Sequence, residues 1–317
     1  MEFNLRFRVP PPQTPEVHKT KQMEPISDTA SKAACPVLLS LDQMPKWFQH
    51  ESNEWILYGY RDISGSFQAS LYSLLYIHNE SVNIYSHLIP AVFSLLGQQY
   101  LASRYSGVTG ADFTPFSIFM LTAVTCLSLS ATYHTLMNHS KRVEHLCLRL
   151  DMLGVVIFIL GDLMLGIYMA FWCEPLLRNI YWSMIGAFGT LTIFVILHPK
   201  FQGPEYRLFR TLMFVATGLS GVVPLIHAIN MFGMSQMMSK AFPYTLVKVG
   251  CLLVGTWFYV VTVLKTRFPE SLCPGKFDLG GSHSIFHILV VCAFVVQLVG
   301  YLDAFDYANT NLTCSSL

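Results

Sequence analysis

Residues 283–303 read HSIFHILVVCAFVVQLVGYLD, a nearly continuous apolar run that opens with two histidines. A bilayer whose hydrocarbon core is about 30 Å thick requires roughly 20 mainly apolar residues in a helix that crosses it. In lipid, the backbone N–H and C=O groups must be satisfied within the segment, and an α-helix does this. This run therefore predicts one transmembrane helix.

Further apolar runs of comparable length precede this segment. They lie at 84–104, 114–135, 148–171, 178–198, 208–231 and 243–264. Because the connections between them are short, the predicted fold is all-α, an integral membrane bundle of seven transmembrane helices. Charged residues make up 12% of the chain, against about 25% in soluble domains. The net charge of +1 also argues against nucleic acid as a partner, since that binding requires a basic surface.

The distribution of Lys and Arg predicts the orientation of the bundle. Most of the 20 basic residues lie in the N-terminal region and in the connections after the second, fourth and sixth runs. Cytoplasmic loops carry an excess of Lys and Arg, so we expect the N-terminus in the cytoplasm and the C-terminus outside. The C-terminal tail contains neither residue, and its Asn311-Leu312-Thr313 sequon is meaningful only on the outside.

The chain divides into four predicted parts. Residues 1–41 are polar and proline-containing and are expected to form a disordered cytoplasmic tail. Residues 42–83 are rich in aromatic side chains and predict a cytoplasmic juxtamembrane segment under the bundle or at the membrane interface. Residues 84–303 form the seven-helix domain, and 304–317 form a short outside tail. The eight cysteines are scattered without a CxxC pair, so neither a disulfide framework nor a cysteine zinc site is expected.

Histidines from two distant runs are predicted to meet at one depth of the membrane. His134 ends the second run, which travels towards the cytoplasm, and His283 and His287 begin the seventh, which starts there. Residues four apart share a helix face, so His283 and His287 can bind one ion together. A single membrane histidine more often bridges helices by a hydrogen bond. The convergence of His134, His283 and His287 at one depth instead predicts a zinc ion with an open coordination position.

Two further side chains are candidates for catalysis at this depth. Asp151 begins the third run, and a carboxylate within the membrane usually faces the bundle interior. It is a candidate to orient or deprotonate a metal-bound water. Ser130 lies one turn before His134 and is a candidate to hold the same water.

Other polar residues support structural interpretations. Glu80, Asn83 and His87 share one helix face, which could contact the site or anchor the helix, and we favour the anchor. His227 is predicted to form a hydrogen bond between helices. Asp162 lies deep in the third run without an evident partner. The histidines expected to be solvated are His78, His139, His145 and His198.

Short motifs in a fixed order connect these features to a known family. They are PKWF at 45–48, GYR at 59–61, HNESVNIYSH at 78–87, SATYH at 130–134, LDMLG at 150–154, GLSG at 218–221, PGKFD at 274–278 and HSIFH at 283–287. With these motifs the chain resembles the progestin and adipoQ receptor family, near the adiponectin-receptor type. It is similar more distantly to fungal relatives and bacterial haemolysin III proteins.

The resemblance implies a seven-helix fold with the N-terminus inside and zinc on His134, His283 and His287. It places Asp151 near the zinc and its water. It also implies hydrolysis of ceramide-like lipids, together with recognition of an extracellular protein or steroid ligand. At Asp162, relatives typically have a small residue. At 280–281, where this chain has two glycines, adiponectin receptors have bulky residues.

The leading functional prediction is a zinc-dependent amidase that acts on a ceramide-like lipid, with Asp151 as proton acceptor and Ser130 positioning the water. The alternative is a receptor whose zinc is purely structural. Three candidate ligands, rather than four, favour the open catalytic site. A pore is less favoured, because none of the predicted helices has a repeated polar stripe. We expect the plasma membrane, with the endoplasmic reticulum or Golgi as the alternative.

Overall fold

The computed structural model of the chain describes residues 37–49, 53–104, 110–263 and 268–314. The predicted tail therefore lies largely outside the described residues. Its last residues do not, because Leu39–Ser40 form strand β1, which pairs antiparallel with β2 at Tyr58–Tyr60. Ordered structure thus begins before residue 42.

Long helices dominate the described residues. The α-helices are α1 (Phe67–Tyr72), α2 (Ser81–Arg104), α3 (Gly110–Leu136), α4 (Lys141–Ala170), α5 (Pro175–Leu197), α6 (Arg207–Leu219), α7 (Val222–Phe232), α8 (Met234–Met238), α9 (Phe242–Val263) and α10 (Ser282–Asn311). Among the described residues, six segments are long and apolar enough to cross a membrane: α3, α4, α5, α6 with α7, α9 and α10. With 24 residues, α2 also has a sufficient length of about 36 Å. These are the helices of the predicted bundle.

The lower hydropathy of α2 follows from polar side chains that contact other helices. Gln98, for example, donates a hydrogen bond to Ser117 Oγ on α3 at 2.8 Å. Buried polar groups in a membrane protein require such partners. Part of the polar character of α2 is therefore used in a contact inside the bundle.

The apolar residues divide between an aromatic core and the outer surface. Phe119 on α3, Leu165 on α4 and Phe305 on α10 are fully buried in one cluster. Many other large apolar side chains are exposed, including Phe93 and Leu253. A water-soluble monomer rarely exposes so much apolar surface. On a membrane bundle, lipid covers it.

The segment before α2 folds against the end of α3. Met44, Phe48 and Tyr60 form a small buried core with Met137, which directly follows α3. The hydroxyl of Tyr60 donates to Ile56 O at 2.9 Å. The segment from β1 to α2 therefore packs at the end of the bundle where α3 ends and α10 begins, hereafter the histidine end.

A disulfide joins Cys173, in the connection after α4, to Cys314, beyond the end of α10. No sequence pattern indicated this single bond; the other five cysteines among the described residues are free and form no framework with it. A separation of 141 residues gives no local sequence signal. The two Cα atoms lie 5.1 Å apart only because α4 and α10 end on the same side. The bond lies at the end of the bundle opposite the histidines.

Asp162 has partners that sequence alone did not reveal. Its Oδ2 lies 2.7 Å from Lys248 Nζ on α9. The hydroxyl of Tyr301 on α10 donates to Asp162 Oδ1 at 3.0 Å and to its carbonyl at 2.8 Å. Lys248 on α9 therefore neutralises the carboxylate, and Tyr301 on α10 adds a hydrogen bond to it.

Candidate metal centre

His134, His283 and His287 come together at the histidine end. His134 lies in the last turn of α3, and the other two lie in the first turns of α10. One ring nitrogen of each lies within 4.8 Å of the others. His134 and His287 are buried, with 3% and 2% exposed. The helix spacing and bundle topology therefore place three imidazoles around one point.

The positions of the ring nitrogens fit a zinc ion. Nε2 of His283 and Nε2 of His287 are 3.1 Å apart, close to the ~3.3 Å between two nitrogen ligands of tetrahedral zinc at about 2.0–2.1 Å. Nε2 of His134 is buried without a hydrogen-bond partner among the described residues. A buried polar atom left unpaired is costly. Coordination of an ion would satisfy it.

The start of α10 is fixed by a buried carboxylate. Glu270 Oε1 accepts hydrogen bonds from the backbone N–H and the hydroxyl of Ser282, at 2.7 and 2.8 Å. A negative charge is favourable at a helix N-terminus. Any side chain at Gly281 would collide with Glu270, because a Cβ there would lie 2.2 Å from Oε1. The glycine at 281 thus permits the cap that positions His283.

Glu80, just before α2, contacts the cluster directly. Its Oε2 lies 2.8 Å from Nδ1 of His134, and it also accepts from Asn83 Nδ2 at 2.7 Å. The preferred interpretation of Glu80 as a simple helix anchor is therefore incomplete. A carboxylate on one imidazole nitrogen keeps a proton there, which leaves the other nitrogen free for a metal.

Arg61 supports both Glu80 and His134 from the segment before α2. Arg61 is 4% exposed. Its guanidinium donates to the carbonyls of His134 and Thr135, at 2.6 and 2.9 Å, and to Ser73 Oγ at 2.7 Å. Burial lowers the pKa of Arg61 to about 10, an effect that Glu80 partly offsets. Burial opposes ionisation of Glu80, but hydrogen bonds from His134 and Asn83 and the charge of Arg61 lower its pKa. Both groups therefore remain charged at neutral pH.

His87 and Ser86, on α2, lie against His287. The rings of His87 and His287 stack with centroids 4.0 Å apart and an angle of 15°. Ser86 Oγ lies 3.5 Å from Nδ1 of His287, at the limit of a hydrogen bond. His87 is buried, and neither ring nitrogen has a hydrogen-bond partner among the described side chains. The face of α2 that was expected to anchor the helix thus also contacts the histidine cluster.

The structure brings Ser130 and Asp151 together beside His134. The Ser130 hydroxyl and the His134 ring both lie close enough to the Asp151 carboxylate to interact with it electrostatically. Close packing of α3 on α4 makes this contact, because a Cβ on Gly154 would lie 3.1 Å from Cys126 Cα. Small residues at such positions let membrane helices approach closely. The two predicted catalytic candidates are therefore neighbours of the metal candidates.

The remaining histidines differ in their surroundings. His227 hydrogen-bonds the hydroxyl of Tyr181 at 2.7 Å, as predicted for a contact between helices. His78 was expected to be solvated, but it is 1% exposed. Its Nδ1 accepts from the backbone of Glu80 at 3.1 Å, and burial lowers its pKa to about 3. The loop before α2 turns inward, so a position near a helix end does not mean exposure.

Sequence reasoning missed two of the residues at the site. For Glu80 the available signal was its helical spacing with Asn83 and His87, which was interpreted as an anchor. For Arg61 no local pattern indicated a contact with His134, because 73 residues separate them. Only the fold brings that guanidinium to the end of α3.

Comparison with known proteins connects this arrangement to a family. The family described as "Haemolysin-III related" matches residues 75–298. The ADIPOR-like receptor IZH2 of Saccharomyces cerevisiae is 34% identical over 87% of this chain and 86% of its own length. The Adiponectin receptor protein of Drosophila melanogaster is 36% identical over 86% of this chain and 60% of its own length. Heptahelical transmembrane protein 1 of Arabidopsis thaliana is 33% identical over 86% of this chain and 82% of its own length.

Proposed function

Because this chain belongs to the haemolysin-III related family of heptahelical membrane proteins, which includes adiponectin-receptor-like members, we propose that it is a zinc-dependent lipid hydrolase. The proposed reaction is hydrolysis of the amide bond of a ceramide-like membrane lipid, coupled to recognition of an extracellular protein or steroid ligand. The observation that carries this proposal is the cluster of His134, His283 and His287, with Ser130 and Asp151 beside it.

The donor set supports zinc at this site. Three imidazoles would hold the ion, and imidazole nitrogen is a preferred zinc ligand. When bound, zinc supplies a Lewis acid that polarises a carbonyl and acidifies water. Glu80 would keep the proton on Nδ1 of His134, so that Nε2 points to the ion.

Two side chains of this protein would transfer the proton and position the water in the reaction. Asp151 would accept a proton from water while the water oxygen forms a bond to the amide carbon. The C–N bond then breaks, and Asp151 returns the proton to the leaving nitrogen. Ser130, which lies beside Asp151, would hold the carboxylate and the water in line. The products would be a fatty acid and a sphingoid base.

A receptor with a structural zinc is the second candidate, because two relatives are named as receptors. A structural zinc site is normally closed by four protein ligands. The described cluster contains three histidines, which favours an open position and therefore hydrolysis. The two functions are compatible if an outside ligand controls the hydrolase.

We place the histidine end in the cytoplasm. The distribution of Lys and Arg supports this orientation. The disulfide between Cys173 and Cys314 supports it independently, because it lies at the opposite end and disulfides persist in oxidising compartments. The plasma membrane is the proposed location.

Turnover of a labelled ceramide tests the proposal. Purified protein in lipid nanodiscs should release labelled fatty acid, lose this activity in a zinc chelator and regain it when zinc is restored. Release that is equally fast in the chelator would contradict zinc dependence. Absence of release with zinc bound would instead favour the receptor with a structural zinc.

A further inference from the structure

Helix α2 supplies none of the three clustered histidines, yet α2 and Glu80, which directly precedes it, contact two of them. On the basis of the proposed zinc site, we infer that Glu80 and Asn83, together with Ser284 on α10, form one hydrogen-bonded positioning chain. This chain holds the ligands of α3 and α10 in a fixed relative position and thereby sets the metal affinity. None of these three residues is a proposed ligand.

The first link joins Glu80, which directly precedes α2, to the ligand on α3. Glu80 Oε2 lies 2.8 Å from His134 Nδ1, while Arg61 holds the carbonyl of His134 at 2.6 Å. The ring and the backbone of the same residue are therefore fixed separately. Outer partners of this kind orient an imidazole and raise its basicity.

The second link joins α2 to the helix that carries the other two ligands. Asn83 Nδ2 donates to the same Glu80 oxygen at 2.7 Å. The hydroxyl of Ser284 donates to Asn83 Oδ1 at 2.6 Å. Ser284 lies between His283 and His287 in the sequence. A continuous path thus runs from α10 through α2 to His134.

Two members of this positioning chain are shielded from solvent. Asn83 is 5% exposed and Ser284 is 4% exposed. Hydrogen bonds in a low-dielectric interior are stronger, and an unsatisfied member of such a network is costly. Because Asn83 uses its amide nitrogen for Glu80 and its amide oxygen for Ser284, its removal disconnects the two ligand helices. A role in helix packing alone would not require this directional order.

Measurement of zinc affinity tests the positioning chain in the full-length protein. The affinity is obtained by competition with a fluorescent chelator. Glu80→Gln, Asn83→Ala and Ser284→Ala should each weaken zinc binding, by about 10- to 100-fold for Glu80→Gln, the range for outer partners of a metal ligand. Once Asn83→Ala has removed the middle link, adding Ser284→Ala should cause little further loss. Cobalt-substituted Glu80→Gln should show a shifted visible spectrum.

The matched control is Ser94→Ala, which removes another buried serine on α2, outside the chain of bonds described above. It should leave zinc affinity unchanged. Melting of the zinc-free variants reports their folding separately from metal binding. If the wild type binds zinc but Asn83→Ala and Ser284→Ala change affinity less than twofold, or if their losses simply add, the positioning chain is wrong. If the wild type binds no zinc, the proposed site fails as well.

Discussion

Asp162 on α4 and Lys248 on α9 form an ion pair within the bundle, with Oδ2 2.7 Å from Nζ. Their side chains are 15% and 13% exposed, and the hydroxyl of Tyr301 donates to the same carboxylate. The pair therefore joins two helices, and α10 contributes a third contact. Removal of one partner would leave the other charge without compensation inside the membrane-spanning part of the protein.

Asp162→Ala should lower the stability of the bundle by roughly 3–5 kcal/mol, the range for breaking a buried pair. Adding Lys248→Met should recover most of that loss, because an apolar replacement removes the unpaired charge. Tyr301→Phe should cost only about 1 kcal/mol, the typical value of one hydrogen bond. Thermal unfolding in detergent measures all three. If the loss in the double variant equals the sum of the losses in Asp162→Ala and Lys248→Met, the two charges are not coupled.

The purified protein should contain about one zinc per chain, as expected for a set of three imidazoles with an open position. His134→Ala, His283→Ala and His287→Ala should each reduce this content sharply. His145→Ala is a suitable control, since that side chain is 50% exposed and lies outside the cluster. Elemental mass spectrometry after dialysis gives the content. Full occupancy in the double variant His283→Ala/His287→Ala would rule out this site.

Asp151→Asn should separate catalysis from metal binding. The substitution keeps the size of the side chain and removes the base, so ceramide hydrolysis should fall by roughly 100-fold or more. Zinc content should remain near the wild-type value, because the three imidazoles are unchanged. Loss of zinc together with activity would assign Asp151 to support of the ligands. Unchanged hydrolysis would exclude it as the proton acceptor.

Antibody access to terminal tags tests the proposed orientation. An N-terminal tag should be detected only after the plasma membrane is permeabilised, whereas a C-terminal tag should be detected on intact cells. The physical basis is the excess of Lys and Arg in the segments assigned to the cytoplasm. The reverse pattern would place the histidine end outside and overturn the charge argument.

The stability of the protein should rise at alkaline pH because of Lys240, which lies between α8 and α9. Burial lowers its pKa from the ordinary 10.5 to about 8, although Nζ donates to the carbonyls of Met169 and Ala170. Between these values the unfolded chain binds more protons than the folded one, so stability should increase with pH. The effect should be complete above the unfolded pKa. Melting temperatures from pH 7.5 to 10.5 should show this rise, and Lys240→Met should remove it.

The zinc candidates could be predicted because their signals are local. The spacing of His283 and His287 needs only helix geometry, and the depth of His134 follows from counting membrane crossings. The role of α2 could not be predicted in the same way. Glu80, Asn83 and His87 were correctly grouped on one face, but the sequence does not indicate which residues that face contacts.

The amino-acid sequence by itself determined the number of membrane helices, their approximate limits and the meeting of three histidines at one depth. Each depends on hydropathy or spacing within one segment. The tertiary structure alone decided which side chains pair across helices. The contacting residues are far apart in the sequence: the separation is 54 residues for Glu80 and His134, 86 for Lys248 and Asp162, and 201 for Ser284 and Asn83. Such pairs depend on the rotation of each helix about its own axis. When a helix is apolar on all sides, its sequence does not define this rotation, and only packing against neighbouring helices fixes it.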